Sequence, residues 1–212
     1  MAFGTLAGGH ARRICSFLFL LFLLSLPSLT HAAEHDFYRF PLFFGNADAP
    51  NTIIMYDNIE CPSCRKIWPA VVGTIQGLDP AHTRFIIQGG GKSAQGDKAM
   101  LTAIALAEQN QALAREFVTA AFASEQAIAK PVPFAIALAK KKTLPVDAAK
   151  LERDVSPENE AKRAEAKAAI KERYGLKRTP SFVINGVVYE GLVGAAPMVQ
   201  FMKEHPPVPQ LP

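Results

Sequence analysis

The order of apolar runs along the sequence predicts an α/β fold. Two runs rich in β-branched residues, 52–57 and 83–88, have the composition of buried strands and frame a segment with helical spacing. An alanine-rich stretch from Lys92 to Tyr174 is helical in character throughout, and strand-like runs return at residues 181–184 and 187–190. Strands before and after a long helical block predict one sheet-based domain with a helical insertion.

Residues 1–32 have the pattern of a secretory signal peptide. Arg12 and Arg13 precede an apolar run from Ile14 to Leu26, and small residues allow cleavage after Ala32 or Ala33. An uncleaved membrane anchor is the alternative, but the run is shorter than the roughly 18–20 apolar residues that span a bilayer. The paired arginines suggest twin-arginine export, although the very apolar run favours the general route. We therefore expect a periplasmic or otherwise exported protein.

Loss of the leader changes both the charge and the cysteine content. The full chain has a formal net charge of +4, and removing Arg12 and Arg13 with no acidic residue leaves 4 − 2 = +2. A nearly neutral chain gives no indication of nucleic-acid binding. Cys15 leaves with the leader, so the mature chain keeps only Cys61 and Cys64.

The segments around the first two strands carry local signals. An aromatic run at residues 34–45 contains Pro41 and suits an edge strand, and residues 45–50 form a turn. Pro69 predicts a kink in the helix that follows Cys61. The glycines at 89–91 are expected to end the second strand.

Prolines and caps divide the helical block. Pro133 is expected to open a third helix and Pro145 a short fourth. Ser156 followed by Pro157 predicts the capped start of another helix, which ends at Gly175. The charged residues of this last helix are expected to face solvent.

The C-terminal region has a hairpin signal followed by a helix. Asn185-Gly186 between two apolar runs predicts a tight β-turn. A final helix is expected over residues 195–204, before a proline-rich tail at residues 205–212.

The tetrapeptide Cys61-Pro62-Ser63-Cys64 lies between the first strand and a helix. This order places Cys61 where unpaired backbone N–H groups and the helix dipole favour a negative charge. Pro62 suits the first helical turn, because its missing N–H would have no partner there. The position therefore favours a reactive thiolate, with a pKa below the free value of about 8.5, and predicts a redox site.

Two other uses of the cysteine pair are open. A structural disulfide would gain little, because closing so small a loop contributes about 2 kcal/mol against about 4.7 kcal/mol for a 100-residue loop. A zinc site needs four ligands, yet the mature chain has no third cysteine, and His35, His82 and His205 are scattered. An exported chain with this pair as its only cysteines favours the redox interpretation.

Three motifs occur in one order along the chain. They are the Gly-x-x-x-Ala-Pro pattern at residues 45–50, the Cys-x-x-Cys at residues 61–64 and the sequence Thr-Pro-Ser-Phe-Val-Ile-Asn-Gly at residues 179–186. Together they resemble the thioredoxin superfamily and, within it, the DsbA-like proteins, over roughly residues 45–204. The resemblance implies a thioredoxin fold, in which helices flank a central mixed β-sheet, with an inserted α-helical domain. It divides the chain into a signal peptide (1–32), a first part of the thioredoxin fold (33–91), the helical insertion (92–174), a second part of the fold (175–204) and the tail (205–212).

The resemblance also implies roles for the motif residues. Cys61 is implied as the attacking thiolate and Cys64 as the resolving thiol that breaks a mixed disulfide. Thr179-Pro180 is implied as a cis-proline loop that faces the cysteines and pairs with the substrate chain, the alternative being an ordinary trans proline. Pro62 and Ser63 set the redox potential. Strongly oxidising relatives have histidine at the position of Ser63, so we expect a weaker oxidant here.

One departure from the family concerns proton transfer. Thioredoxins and many DsbA-like proteins have a buried acid six residues before the first cysteine, and that position is Met55 here. Asp57 lies two residues further on, on the same face of a regular strand, and Glu60 adjoins Cys61. Either acid is a candidate for the proton-transfer role, and each is also explained as a strand-end or loop charge.

The leading functional hypothesis is an exported thiol–disulfide oxidoreductase, with the direction of exchange open. No dissociable cofactor is expected, because the cysteine pair is itself the redox group. The expected partners are exported cysteine-containing proteins and a membrane protein that resets the disulfide. The short segment before residue 45 leads us to expect a monomer. The alternative hypothesis is a module that binds and delivers a soft metal such as Cu(I) through Cys61 and Cys64.

Overall fold

The strands of the computed structural model, which describes Met1 and residues 41–207, form one mixed sheet. The sheet has the order β1-β3-β2-β4-β5; β2 and β3 are parallel, and the other neighbours are antiparallel. The strands are β1 (Leu42–Phe44), β2 (Asn51–Asn58), β3 (Thr83–Gly90), β4 (Ser181–Ile184) and β5 (Val187–Tyr189). The predicted α/β class with a central mixed sheet is confirmed. The predicted leader, and the tail beyond residue 207, lie outside the described residues.

The parallel pair β2 and β3 is joined by helix α1 (Pro62–Gln76). Pro62 occupies the first turn as predicted, and the helix continues through Pro69. Trp68 is buried on the inner face of α1, where its indole N–H donates to the Thr119 hydroxyl at 2.7 Å. Its ring also packs at a tilt against Phe122, with 5.7 Å between the ring centroids. These contacts fix α1 to the helical block.

Strand β3 is longer than the run of residues 83–88 that the sequence predicted. Gly89 and Gly90 belong to β3 instead of ending it. A Cβ atom at Gly89 would lie 2.4 Å from the carbonyl oxygen of Asp57, so glycine is needed for the close pairing of the two strand ends. This pairing holds the end of β2, from which the Cys-x-x-Cys motif starts.

The helical block between β3 and β4 consists of short and medium helices. Two boundaries differ from the prediction: Pro131, not Pro133, opens α5, and the helix expected at Pro145 starts after the cap Asp147. The short α4 was not expected. The helices are α2 (Ala94–Gln109), α3 (Gln111–Ala123), α4 (Glu125–Ala129), α5 (Pro131–Lys142), α6 (Ala148–Asp154) and α7 (Pro157–Arg173).

Each face of the sheet is covered by apolar packing. Ile53, Met55 and Phe85 belong to the larger core, which includes Trp68 and the buried residues of α2 and α3. Alternate strand residues, among them Ile54 and Ile86, form a smaller core with Ile170 of α7. Because side chains alternate along a strand, Asp57 continues the series of Ile53 and Met55. It therefore lies on the face that α1 covers.

Helix α7 starts as predicted and carries one unexpected buried charge. The Ser156 hydroxyl accepts the Asn159 N–H, and Gly175 follows the helix with φ +62°. The expectation that its charged residues all face solvent is wrong for Arg163, which is 1% exposed. The Arg163 guanidinium donates to the Gly89 carbonyl and, at 2.6 Å, to the Asp97 carboxylate. These partners compensate its burial and tie α7 to β3 and α2.

The predicted hairpin is present, with Asn185 and Gly186 both at positive φ. The Asn185 side chain accepts the Thr52 N–H at 2.9 Å and donates to Asn51 and to the carbonyl of His205. Helix α8 (Ala195–Glu204) has the predicted bounds. Asn185 thus connects the β4–β5 turn with the start of β2 and the end of α8.

Candidate functional site

Cys61 is the N-cap of α1 and lies just beyond the end of β2. Its backbone is extended, and its N–H donates to the Asn58 carbonyl at 2.9 Å. The backbone N–H groups of Ser63 and Cys64, in the first turn of α1, interact with the half-buried Cys61 sulfur. The structure therefore places Cys61 where the sequence predicted it.

The second part of the site is the loop before β4. The peptide bond between Thr179 and Pro180 is cis, and the Cys61 thiol lies 3.6 Å from the Thr179 carbonyl oxygen. The Ser181 hydroxyl donates to the Arg178 carbonyl at 2.7 Å and closes the turn. Residues separated by 118 positions in sequence thus meet at the end of the sheet where β2 stops.

The environment of Cys61 favours its thiolate. Partial burial raises the pKa of the Cys61 thiol, but hydrogen bonds with the Thr179 side chain, with Cys64 and with the Ser63 N–H outweigh burial. The net result is a pKa below the usual value, in the predicted direction. A thiol that ionises more readily than free cysteine has a larger fraction in the thiolate form, which is the nucleophile.

Cys64 lies one turn further into α1 and differs from Cys61 in its burial and in the direction in which its pKa is shifted. It is fully buried, and burial together with the negative charge of Asp57 raises the pKa of its thiol far above the usual value. Both cysteines are free thiols in the structure. The pair therefore combines an accessible sulfur that ionises readily with a hidden sulfur that keeps its proton.

Asp57 is the acid that faces Cys64. Its side chain is completely buried, and burial raises its pKa to about 6, although hydrogen bonds with the Cys64 thiol and the Asn58 N–H oppose the rise. Oδ1 accepts the Asn58 N–H at 2.6 Å, whereas Oδ2 is buried without a regular hydrogen bond to any residue in the described range. Met55 is a core residue on the same face. Of the two acids that the sequence left open, Asp57 has the position for proton exchange with Cys64.

Glu60 has a different role in the structure. Its carboxylate accepts hydrogen bonds from the Lys92 N–H, the Ser93 N–H and the Ser93 hydroxyl at the start of α2. Burial raises the pKa of Glu60, but the hydrogen bonds from Ser93 and Lys92 lower it by a larger amount, so the net pKa is below its usual value. Glu60 therefore anchors the segment before Cys61 to the helical block.

The contact of Glu60 with the start of α2 was not predicted from the sequence. Ser93 caps α2 and Asp97 lies in its first turn, which is a readable helix-start signal. The Asp97 carboxylate accepts the Gly91 N–H at 3.0 Å and pairs with Arg163. No local pattern connects residues 60, 93, 97 and 163, so the link between the redox loop and the block is visible only in three dimensions.

Two kinds of feature are absent from the part of the chain that the structure describes. No group of three or more metal-binding side chains occurs within residues 41–207, so nothing there favours the soft-metal alternative. Among the helices that the structure describes, none is long and apolar enough to cross a membrane.

Comparison with solved structures identifies the same architecture in other proteins. A thioredoxin-like oxidoreductase from Silicibacter pomeroyi is 22% identical, with a TM-score of 0.58 over 78% of this chain and 91% of that chain. BdbD from Bacillus subtilis is 18% identical, with a TM-score of 0.57 over 79% and 92%. DsbA from Chlamydia trachomatis is 13% identical, with a TM-score of 0.59 over 78% and 89%. A search of curated proteins gave no match.

The fold and the cysteine pair define a thioredoxin-type protein with a helical insertion. Residues 40–204 match the family model described as thioredoxin. The chain belongs to the thioredoxin family. The predicted DsbA-like architecture is confirmed as a fold, and the predicted domain boundaries stay a prediction.

Proposed function

We propose that the protein is a thiol–disulfide oxidoreductase that exchanges a Cys61–Cys64 disulfide with cysteines of other proteins. The observation that carries the proposal is the contrast between the two sulfurs. The Cys61 thiol has a lowered pKa and lies 3.6 Å from the Thr179 carbonyl, while Cys64 is buried behind it with a raised pKa. A partly exposed nucleophile with an adjacent resolving thiol is the arrangement that disulfide exchange requires.

In the oxidising direction, a substrate thiolate attacks the Cys61 sulfur of the disulfide. A mixed disulfide forms, the Cys61–Cys64 bond breaks, and Cys64 leaves as a thiolate that takes a proton. A second substrate thiolate then attacks the substrate sulfur of the mixed disulfide, which releases Cys61 as a thiolate. The substrate becomes a disulfide, and its two electrons reside in the reduced cysteine pair. The reducing direction runs through the same steps in reverse.

Asp57 is the group placed to handle the Cys64 proton. A carboxyl with a pKa of about 6 is close enough to neutral pH to exist in both protonation states. As the acid it protonates the departing Cys64 thiolate, and as the base it accepts the proton when Cys64 attacks a mixed disulfide. The family's buried acid is thus replaced by one two residues later on the same face of β2.

Thr179 supports the proposed contact with a polypeptide substrate. Its side chain is half-buried, and its carbonyl lies beside the reactive sulfur. An extended substrate segment next to Thr179 brings its own cysteine to Cys61 by backbone pairing. We further propose that the protein acts as an exported monomer on exported cysteine-containing proteins, needs no dissociable cofactor and is reset by a membrane redox partner.

Replacing Cys64 with alanine tests the proposal directly. Cys64→Ala should retain mixed disulfides on Cys61, which are identified by mass spectrometry after acid quenching of cells that export the variant. The double variant Cys61→Ala/Cys64→Ala is the control and should retain none. Absence of trapped proteins, together with a Cys61 thiol that titrates like free cysteine in absorbance at 240 nm, would refute the proposed function.

A further inference from the structure

Four exposed cations lie close in sequence to the two parts of the site, Cys61 and the cis-proline loop, on two separate elements. Arg65 and Lys66 lie near the start of α1, and Lys177 and Arg178 lie in the loop before cis-Pro180. The Arg65 N–H donates to the Cys61 carbonyl at 3.0 Å, and residues four positions apart share one side of a helix. Arg178 adjoins Thr179, whose carbonyl is the neighbour of the Cys61 thiol. We call Arg65, Lys66, Lys177 and Arg178 the basic rim.

Folding does not explain the basic rim. None of the four side chains takes part in an ion pair among the residues that the structure describes. Cations at a helix N-terminus also have the sign that the helix dipole disfavours, and α1 has no acid in its first turn to offset them. The positive charges of the basic rim therefore have no acidic side chain of the described residues as a partner.

The acids near the rim do not neutralise it. Asp57 is buried under Cys64, and the Glu60 carboxylate is held by Lys92 and Ser93 at the start of α2. Glu190 is an exposed acid at this end of the sheet, one residue beyond the pairing of Tyr189 with Phe182. Within residues 41–207, none of these acids forms an ion pair with the four cations of the basic rim.

We propose that the basic rim selects substrate polypeptides whose cysteine is flanked by acidic residues. This inference rests on the proposed function, because it concerns the partner of the same site. A segment that pairs with the loop at Thr179 is extended, so its residues on both sides of the cysteine pass over the two halves of the rim. Complementary charge speeds the encounter and fixes its register.

Removing these cations could act on the Cys61 thiolate as well as on partner selection, and the two effects would differ in one measurable respect. A change in thiolate stability alters the rate with every substrate by the same factor. Partner selection alters the ratio of rates between acidic and basic substrates. The ratio therefore isolates recognition, as in a double-mutant cycle.

The test uses three synthetic peptides, each with two cysteines, flanked by glutamates, by serines or by lysines. The oxidised full-length protein is mixed with each peptide, and loss of the peptide thiols is followed by chromatography. The variants are Arg65→Gln/Lys66→Gln, Lys177→Gln/Arg178→Gln and all four together. Lys140→Gln/Lys141→Gln is the matched control. These exposed lysines lie in the last turn of α5, and the next residue, Lys142, lines the same cavity as Gln76. Gln76 is the last residue of α1, at the opposite end of the helix from Cys61.

The quantity to compare is the rate with the glutamate peptide divided by the rate with the lysine peptide. At low salt this ratio should be about ten times larger for the wild-type protein than for the fourfold variant, in which all four cations are replaced. Each double variant should lose part of the preference, and the control should keep it. The preference should shrink at physiological salt, where the Debye length falls to about 8 Å. Intrinsic differences between the peptide thiols cancel, because each ratio is compared with the same ratio in the variant.

Equal ratios in wild type and the fourfold variant would overturn the inference, even if the serine peptide is oxidised normally and the proposed function stands. Loss of binding to anionic phospholipid vesicles in the fourfold variant, with unchanged peptide ratios, would assign the rim to a membrane surface and also overturn it. Failure of all three peptides to react would instead refute the proposed function.

Discussion

Replacing Asp57 with asparagine should stabilise the reduced protein at neutral pH and leave its stability less dependent on pH. Burial raises the pKa of Asp57 from its usual 3.8 to about 6. A difference of about 2.2 between these values, at 1.36 kcal/mol per pKa unit, amounts to about 3 kcal/mol. That is the free energy by which an ionised Asp57 destabilises the folded protein relative to a neutral one.

The sign follows from proton binding. Between about pH 4 and pH 6 the folded protein keeps a proton on Asp57 that the unfolded chain has lost, so the free energy of unfolding falls as pH rises through this range. Below pH 4 both states are protonated and the effect is absent, and above pH 6 it is constant. The advantage of Asp57→Asn should therefore grow by about 2.4 kcal/mol from pH 4 to pH 7.5, because the unfolded chain is already partly ionised at pH 4.

Urea unfolding of the reduced proteins at pH 4, 5, 6 and 7.5 measures this difference. Any fixed penalty from the new amide group is the same at each pH, so the change with pH is the quantity to compare. Glu152→Gln, at an exposed position, is the control and should change the free energy of unfolding by less than about 0.5 kcal/mol. An advantage of Asp57→Asn that is constant from pH 4 to pH 7.5 would refute the assignment of a buried, ionisable Asp57.

Three further predictions concern other parts of the molecule. Ser63→His should raise the reduction potential by about 30 mV for each 1.4 kcal/mol of added thiolate stabilisation, measured against glutathione; an unchanged potential would contradict it. Asn185→Ala should lower the free energy of unfolding by about 2–4 kcal/mol, because it removes the acceptor of the buried Thr52 N–H and an αL-tolerant residue; Asn185→Gly should cost less. Arg163→Met should cost about 3 kcal/mol in urea unfolding because it removes the buried donor to the Gly89 carbonyl and the ion pair with Asp97, and adding Asp97→Asn should recover part of the loss; strictly additive effects would exclude the pairing.

Sequence patterns predicted the elements that depend on local chemistry. The helix start at Ser156-Pro157, the turn at Asn185-Gly186 and the placement of Cys61 at the N-terminus of α1 each follow from neighbouring residues. The prediction that Pro133 opens a helix was wrong because proline is tolerated in the first helical turn, so Pro133 is also compatible with a helix that starts at Pro131.

Features that depend on distant residues were not predictable in this way. Gly89 lies inside a strand because β2 approaches its Cα closely, and Arg163 is buried because its partners lie more than sixty residues away. Strand alternation put Asp57 on the face of Met55, but only the packing of α1 on that face brings it to Cys64. The distinction between Asp57 and Glu60 therefore required the tertiary structure.

Trp68 is an intrinsic fluorescence probe located close to the cysteine pair. It is the only tryptophan in the sequence and stands four residues after Cys64, on the same side of α1. Its ring is shielded from water and held by Thr119 and Phe122, so solvent contributes little to its emission. Changes in the intensity of tryptophan fluorescence can thus be attributed to the neighbouring sulfur chemistry or to movement of α3, without labels and without a second tryptophan to subtract.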